Sequence, residues 1–271
     1  MKKLSVIVIT ENEEKNIERC LNSVRWADEI VVVDAFSKDR TLEICRRFNA
    51  KVVQNAWCGY AAQKQFALDH ATCPWVLSLD ADEEVTGELR IAIQNILTSQ
   101  TPYDGYEINR QSFFLGQRIQ HGGWFPDYQL RLFRREKTKI IQRPVHEGFS
   151  VEGHMSRLES VVNHYTYRSI QHYLHKMNEY TSLEVMNKLS QKKQRIRWFD
   201  FITHPLSVFV RMFIFLHGYR DGFRGFLLAL YSSLYNLLIY AKCWEYQHAQ
   251  KRGTTLPPVT SEELYLLERM R

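Results

Sequence analysis

Apolar blocks alternate with amphipathic stretches through the first hundred residues of this chain. Apolar runs, which are typical of strands covered on both faces, predict strands at residues 4–9, 29–34 and 75–79, and a short further strand is expected at 51–54. Helical spacing of apolar residues between and after these runs predicts helices near 17–24, 41–48, 60–71 and 87–97. Asn12 is expected to cap the first helix. The connections are too short for anything but crossover helices, so the pattern predicts an α/β fold with a mostly parallel sheet.

The pattern changes after residue 102. A strand is expected at 105–109, and a segment rich in glycine, aromatics and arginine follows at 121–135. The last third carries a basic run at 188–197 and two apolar stretches, 199–216 and 225–241. The second stretch is borderline for a membrane span, which needs roughly 20 apolar residues.

Three readings of these stretches stay open: helices lying in a membrane interface, a buried helical hairpin, and a true span. The interface reading is favoured because the neighbouring basic run would attract anionic lipid. We therefore expect an α/β domain over residues 1–168 and a helical region over 169–271, with membrane association around 192–245.

Composition and net charge limit the size of the fold, the class of binding partner and the redox environment. The 271 residues are 45% hydrophobic, enough for one large domain or a domain with an appendage, and the net charge of +6 indicates an anionic partner such as nucleotide, nucleic acid or lipid head groups. The five cysteines are an odd number without a C-x-x-C pair, which favours reduced thiols in the cytoplasm. The apolar run at the N-terminus is too short for a signal peptide and is expected to form the first strand.

An acidic cluster, DADEE, follows the strand at 75–79. In extended backbone Asp80 and Asp82 project to one side, where two ionised carboxylates repel each other unless a cation lies between them. Oxygen ligands of this kind suit Mg²⁺ or Mn²⁺ shared with substrate phosphates. The alternative is a solvated acidic turn favoured by the dipole of the next helix, a role expected here for Glu83 and Glu84.

Two common nucleotide motifs are missing from the expected places. The first strand is followed by TENEE rather than by G-x-G-x-x-G, and an acidic turn there would repel a pyrophosphate. The sequence also contains no P-loop. A dinucleotide-binding Rossmann site is therefore disfavoured.

Four segments in order, VIVITENEEKNIERCLNSV, EIVVVDAFSKDRT, GYAAQKQFAL and LSLDADEE, make the chain resemble family 2 glycosyltransferases of the GT-A fold. The later segments GGWFPDYQLRLFRR and RPVHEGF are similar to the subgroup that builds lipopolysaccharide core, particularly its β-glucosyltransferases. The resemblance implies a Rossmann-like, nucleotide-sugar-binding sheet and a UDP-sugar donor.

The resemblance also assigns donor contacts. Thr10 and Glu11 lie where the family holds the uridine, and Asp34 where it contacts the nucleobase or ribose. Lys64 is placed near the donor phosphates, although an exposed helical lysine is an equally good reading. Asp34 could instead cap a helix.

Asp80 and Asp82 match the family's D-x-D, with Asp82 the expected direct metal ligand and Asp80 meeting ribose or metal through water. The resemblance implies a base that takes the proton of the acceptor hydroxyl during in-line attack. Asp127 is the first choice although proline precedes it where the family has glutamate, and Glu147 is the second choice. Asp127 could also be a simple turn residue.

Further site residues come from the later segments. Arg131 and Arg134 could clamp diphosphate or acceptor phosphates, with one of them pointing inward. His146 could complete the metal shell or be a hydrogen-bonded structural histidine.

These observations favour an inverting hexosyltransferase on the cytoplasmic face of a bacterial inner membrane, either peripheral or monotopic. It would move a hexose, glucose from UDP-glucose, onto a lipid-anchored saccharide such as the heptose of lipopolysaccharide inner core. A polyprenyl-phosphate glycosyltransferase and a non-catalytic membrane adaptor are the alternatives. Nucleic acid is disfavoured as a partner, because the basic residues cluster beside apolar helices instead of interleaving with aromatics.

Overall fold

The computed structural model describes residues 2–141, 148–191 and 196–254. The chain divides into two compact units, one made of Met1–Phe113 with Pro126–Thr166 and the other of Phe114–Phe125 with Tyr167–Arg271. Each unit has its own buried apolar clusters.

The first unit is built on one sheet flanked by helices. Its elements are β1 (Leu4–Thr10), α1 (Ile17–Ser23), β2 (Glu29–Asp34), α2 (Thr41–Arg47), β3 (Lys51–Gln54), α3 (Tyr60–His70), β4 (Trp75–Asp80), β5 (Glu83–Val85), α4 (Gly87–Thr98) and β6 (Gly105–Phe114). The remaining strands of the first unit are β8 (Tyr128–Arg134), β9 (Thr138–Ile141), β10 (Gly148–Val151) and β11 (Met155–Tyr167), of which β9 and β10 form a separate two-stranded sheet. The short strand β7 (Gln117–Arg118) falls in the second unit.

The sheet order β3-β2-β1-β4-β8-β6-β11-β5 confirms the predicted α/β class. The strands β3, β2, β1 and β4 run parallel, as the β-α repetition predicts. The sheet as a whole is mixed, because β8 pairs antiparallel with β4 and β6, and β5 with β11. β1 is buried along its whole length, which explains its unbroken apolar sequence.

Two local predictions are wrong. Asn12 does not cap α1: its φ is 54°, and its Oδ1 accepts a hydrogen bond from the main-chain N–H of Lys38 at 2.8 Å. Glu83 and Glu84 do not start a helix, because they form β5. The next helix begins at Gly87, where the Oγ1 of Thr86 accepts the N–H of Leu89 at 3.2 Å.

The second unit is helical. It contains α5 (Ile170–Gln191), α6 (Asp200–Val210), a π-helical turn at Arg211–Phe215, a 3₁₀ turn at Gly218–Asp221 and α7 (Gly222–Lys251). The predicted apolar stretches 199–216 and 225–241 fall on α6 with the π-turn and on α7. Within the part of the chain that the structure describes, one helical stretch is long and apolar enough to cross a membrane by length and composition: Gly218–Ala249, which runs from the 3₁₀ turn through most of α7.

Polar contacts between its elements hold the second unit together. The Nζ of Lys242, on α7, donates to four oxygens of α5: the main-chain O and Oδ1 of Asn178, the Oγ1 of Thr181 and the Oγ of Ser182, at 2.7–2.9 Å. The carboxylate of Asp221 accepts the main-chain N–H of His121 at 2.8 Å.

Candidate functional site

The parallel strands bring three of the predicted donor residues to one edge of the sheet. In the strand register Thr10 lies opposite Asp34, and its neighbour in β1, Ile9, lies opposite Asp80. All three are at the carboxyl ends of their strands, the edge at which open α/β sheets bind ligands. The hydroxyl of Thr10 is buried and has no hydrogen-bond partner among the described residues. Glu11, which follows Thr10, is exposed beyond the strand.

Asp34 closes a turn in this structure. Its carboxylate accepts the main-chain N–H of Ser37 at 3.0 Å, the Ser37 hydroxyl, and the Nε2 of Gln54 at 3.2 Å. The residue is fully buried. These contacts fix the orientation of Asp34, and its predicted contact with a nucleobase or ribose stays a prediction.

Asp80 is surrounded by positive charge. Its Oδ2 accepts a hydrogen bond from the Nη2 of Arg131 at 2.8 Å, and its Oδ1 lies 3.3 Å from the Nζ of Lys64 on α3. Burial alone would raise the pKa of Asp80, but the charges of Arg131 and Lys64 lower it well below its ordinary value of 3.8. Asp80 is therefore an anion whose charge is matched within the protein.

Glu83 shares the Arg131 guanidinium with Asp80. The same Nη2 donates to the Oε1 of Glu83 at 2.6 Å, and both side chains are almost fully buried. Burial raises the pKa of Glu83 above its ordinary value of 4.5, while Arg131 opposes that shift. Sequence reasoning missed this role of Glu83. Ala81, Glu83 and Val85 alternate on the buried side of the chain, and that alternation was the signal that could have revealed it.

Asp82 is held by another set of contacts. Its Oδ2 lies 3.5 Å from the Nε2 of His164 on β11, and its main-chain carbonyl accepts the N–H of Tyr165 at 3.0 Å. The Nδ1 of His164 lies 2.8 Å from the Oγ1 of Thr166 and 3.2 Å from the Oγ of Ser112. His164 was not predicted, because it reaches the acidic pair only through the pairing of β11 with β5.

These side chains constrain how a divalent cation could be held. Over residues 2–141, 148–191 and 196–254, no group of three His, Cys, Asp or Glu side chains could hold a metal ion by itself. Mg²⁺ and its relatives are commonly bound through one or two carboxylates together with substrate phosphates. Asp80 and Asp82 supply carboxylate oxygens of this kind, but the described residues do not form a cage for a resident ion.

Asp127 lies just before β8. Its Oδ2 accepts the Nε of Arg110 at 2.8 Å, its Oδ1 accepts the Nε2 of Gln129 at 2.8 Å, and its main-chain N–H donates to the Oδ1 of Asn109 at 2.9 Å. The side chain is half-buried and firmly oriented. His146 and Glu147, predicted as a metal ligand and the second-choice base, lie outside the described residues.

The two predicted arginines diverge. Arg131 faces Asp80, whereas the Nε of Arg134 lies 3.0 Å from the Oδ1 of Asp104. Residues three apart on a strand point to opposite faces, and Arg134 is paired with Trp75 at the start of β4, far from Asp80. The structure does not bring Arg134 to the other predicted site residues.

Comparison with known proteins identifies the family of this chain. Residues 5–150 match the model of glycosyl transferase family 2. This chain belongs to that family, so the protein is a glycosyltransferase of the predicted GT-A class. The expected family resemblance is confirmed.

The chain is similar to two relatives and to one solved structure. The lipopolysaccharide core biosynthesis glycosyltransferase LpsC of Rhizobium meliloti (strain 1021) is 30% identical over 92% of this chain and 94% of its own length. The uncharacterized glycosyltransferase RT0209 of Rickettsia typhi (strain ATCC VR-144 / Wilmington) is 32% identical over 90% of this chain and 88% of its own. The mannosyltransferase PcManGT from Pyrobaculum calidifontis, solved in complex with GDP-Man and Mn²⁺, is 16% identical with a TM-score of 0.47, covering 98% of this chain and 85% of that chain.

Proposed function

We propose that this protein is an inverting hexosyltransferase that moves glucose from UDP-glucose onto a lipid-anchored saccharide, such as the heptose of lipopolysaccharide inner core. The observation that carries the proposal is the alignment of Thr10, Asp34 and Asp80 at one sheet edge, with Asp82 directly beyond them. Family membership supports sugar transfer, and the similarity to LpsC along nearly the whole chain supports the acceptor class.

The donor would lie along this edge. Thr10, Glu11 and Asp34 would bind the uridine, because hydroxyl and carboxylate oxygens suit its N–H and hydroxyl groups. Lys64 would approach the diphosphate, and Asp82 with Asp80 would hold Mg²⁺ or Mn²⁺. A divalent cation bound there with the nucleotide would neutralise the charge that develops on the departing diphosphate.

Asp127 is the proposed base. It would take the proton of the acceptor hydroxyl while the acceptor oxygen bonds to the anomeric carbon and the bond from that carbon to the diphosphate oxygen breaks. The guanidinium of Arg110 occupies Oδ2 with two nitrogens, but Oδ1 accepts one hydrogen bond, from Gln129, and has a second lone pair to which an acceptor hydroxyl can donate. Glu147 stays the second choice for this role.

The second unit supports a membrane role. The helices α6 and α7, with the turns between them and the two residues before α6, form a helical hairpin. Large apolar side chains are exposed along it: Trp198, Phe199, Ile202, Leu206, Ile214, Phe215, Tyr219, Phe223, Leu230 and Trp244. On α6 and the segment before it, they recur every four residues from Trp198 to Leu206, so they form one stripe. Contiguous apolar surface of this kind marks an interaction site, and a one-sided stripe suits a helix lying in the membrane interface.

The charges of the same segment suit anionic lipid. Arg197, Arg211 and Arg220 are exposed, whereas the carboxylates of Asp200 and Asp221 accept main-chain N–H groups within the unit. Polar side chains of α7 are also satisfied internally, since Ser233 donates to the carbonyl of Pro205 at 2.8 Å. We propose that residues 169–271 attach the enzyme to the cytoplasmic face of the inner membrane as a peripheral or monotopic protein, while residues 1–168 carry out the chemistry.

The deciding experiment follows the sugar. Detergent-purified protein is incubated with UDP-glucose and Mn²⁺, and release of UDP is measured with and without lipopolysaccharide from a strain that lacks this protein. We expect transfer that EDTA abolishes and that Asp82→Asn reduces at least about a hundredfold, whereas Asp69→Asn, an acidic residue on α3, keeps full activity. Absence of UDP release under every condition would contradict the enzyme assignment, and transfer from another nucleotide-sugar would correct only the donor.

A further inference from the structure

Glu83 binds two parts of the acidic turn at once. Its Oε2 accepts the main-chain N–H of Asp80 at 2.9 Å, and its Oε1 accepts the Nη2 of Arg131 at 2.6 Å. The first bond closes the short turn from Asp80 to Glu83 on itself, and this turn carries Asp82. The second bond ties the turn to β8 through Arg131. Glu83 is fully buried, so both contacts are shielded from water.

Arg131 and Lys64 are bound to Asp80 in different ways. Arg131 is 5% exposed and bridges two carboxylates through one nitrogen. Lys64 is more exposed, and its Nζ lies 3.3 Å from Asp80, at the long end of ion-pair contact. Since Glu83 anchors Arg131, that guanidinium cannot leave for a phosphate without abandoning a buried carboxylate, which is strongly unfavourable. Lys64 has no such anchor in its contact with Asp80.

On the basis of the proposed function, we propose that Glu83 is a positioning residue that fixes the turn bearing Asp80 and Asp82 and keeps Arg131 on Asp80. Arg131 then stays paired with Asp80 and Glu83 and does not bind the donor phosphates. Lys64 and Asp82 then have different roles. Lys64 is the cation that can move onto a bound diphosphate, and Asp82 is the carboxylate available to a divalent cation.

A purely stabilising role would not require the buried ion pair between Glu83 and Arg131. Replacing a buried ion pair by apolar residues of similar volume is often neutral for stability, so its presence here is weak evidence of a stabilising role. The pair does have a local electrostatic effect. With Glu83 present, Arg131 is shared between two carboxylates, and the turn keeps net negative charge for a cation. Without Glu83, Arg131 would neutralise Asp80 alone.

The test compares Glu83→Gln with Glu84→Gln. Glutamine keeps the length and an oxygen for the Asp80 N–H but removes the charge, and Glu84 is the adjacent acid in the same strand, bound to the hydroxyl of Tyr165 at 2.6 Å. Calorimetry measures the affinity for UDP with saturating Mn²⁺ and with EDTA. We expect Glu83→Gln to weaken UDP binding about tenfold or more in Mn²⁺ and less than about threefold in EDTA. Glu84→Gln should match the wild type in both.

A second variant guards against misfolding. Glu83→Gln combined with Arg131→Met leaves no unpaired cation and keeps the net charge of the wild-type turn, but it removes the bond that ties the turn to β8. A positioning role therefore predicts the same selective loss of Mn²⁺-dependent binding. Binding equal to the wild type in either folded variant would overturn the proposal. So would failure of both variants to fold, because Glu83 would then be a stability residue. If the wild type itself binds no UDP in Mn²⁺, the proposed function fails first, which separates the two outcomes.

Discussion

Arg110 and Asp127 are joined through both main chain and side chain. The N–H of Arg110 donates to the carbonyl of Asp127 at 2.8 Å, and its guanidinium approaches Oδ2 with Nε at 2.8 Å and Nη2 at 2.7 Å. A paired carboxylate is held in one orientation, which is what a base must have before an acceptor arrives. Arg110, on β6, therefore fixes the orientation of the carboxylate that is proposed to act as the base.

Asp127→Asn is expected to abolish turnover while the affinity for UDP stays within about threefold of the wild type, because an amide cannot take the acceptor proton. Arg110→Gln should lower kcat by about ten- to a hundredfold through loss of orientation, with little change in the KM for UDP-glucose. Steady-state kinetics at saturating donor measures both. An active Asp127→Asn enzyme would transfer the role to another acid, with Glu147 next to be tested as Glu147→Gln.

The proposed membrane attachment should be lost when exposed apolar side chains of α6 and α7 are replaced by charged ones. Ile202→Glu combined with Phe223→Glu is expected to move the protein from vesicles of anionic phospholipid into the supernatant, because two exposed apolar anchors become anions. Ile91→Glu is the matched control, since Ile91 is 59% exposed on α4 of the first unit. Sedimentation with vesicles measures the effect, and UDP release without acceptor should stay unchanged. Equal sedimentation of all three proteins would show that another surface binds the lipid.

Stability should fall at alkaline pH because of Cys45. Burial raises the pKa of its thiol from the ordinary 9.0 to about 12, with the charge of Asp34 adding to the shift. The unfolded chain ionises this thiol above pH 9 while the folded chain keeps it neutral. Its contribution is therefore complete below pH 9 and is lost as pH rises towards 12, by at most about 1.4 kcal/mol per pH unit.

Urea unfolding between pH 8 and 11 tests this dependence. Cys45→Ala should lower the free energy of unfolding at pH 8 and show a flatter decline above pH 9. Cys58→Ala, at an exposed cysteine, should follow the wild-type slope. Parallel slopes for all three proteins would contradict the assignment of the decline to Cys45.

The ammonium of Lys242 is expected to stabilise the packing of α7 on α5. Lys242→Met keeps most of the side-chain volume but removes the ammonium shared by the oxygens of Asn178, Thr181 and Ser182. Because water can reach these oxygens, the free energy of unfolding should fall by about 1 kcal/mol. Lys251→Met, at the exposed end of α7, should change it by less than about 0.5 kcal/mol. Thermal unfolding measures both, and an unchanged midpoint for Lys242→Met would show that water replaces the ammonium.

The sequence by itself determined the parallel half of the sheet. Strands β1, β2 and β4 are so apolar that only burial on both faces accommodates them, and the short amphipathic stretches along this part of the chain leave only crossover helices. This order places Thr10, Asp34 and Asp80 at one edge of the sheet. These relations are local in sequence or follow from one chirality rule, which is why they could be predicted.

Only the tertiary structure decided which charges meet at that edge. Arg131, Arg110 and His164 come from strands that pair antiparallel in the other half of the sheet, and their register depends on contacts distant in sequence. Glu83 shows the difference most clearly: an acidic residue before a helix is usually a solvated helix-start charge, but here it is buried because an arginine 48 positions away donates to it. The energy of a buried charge depends on its partner, and the partner is fixed only when the sheet is complete.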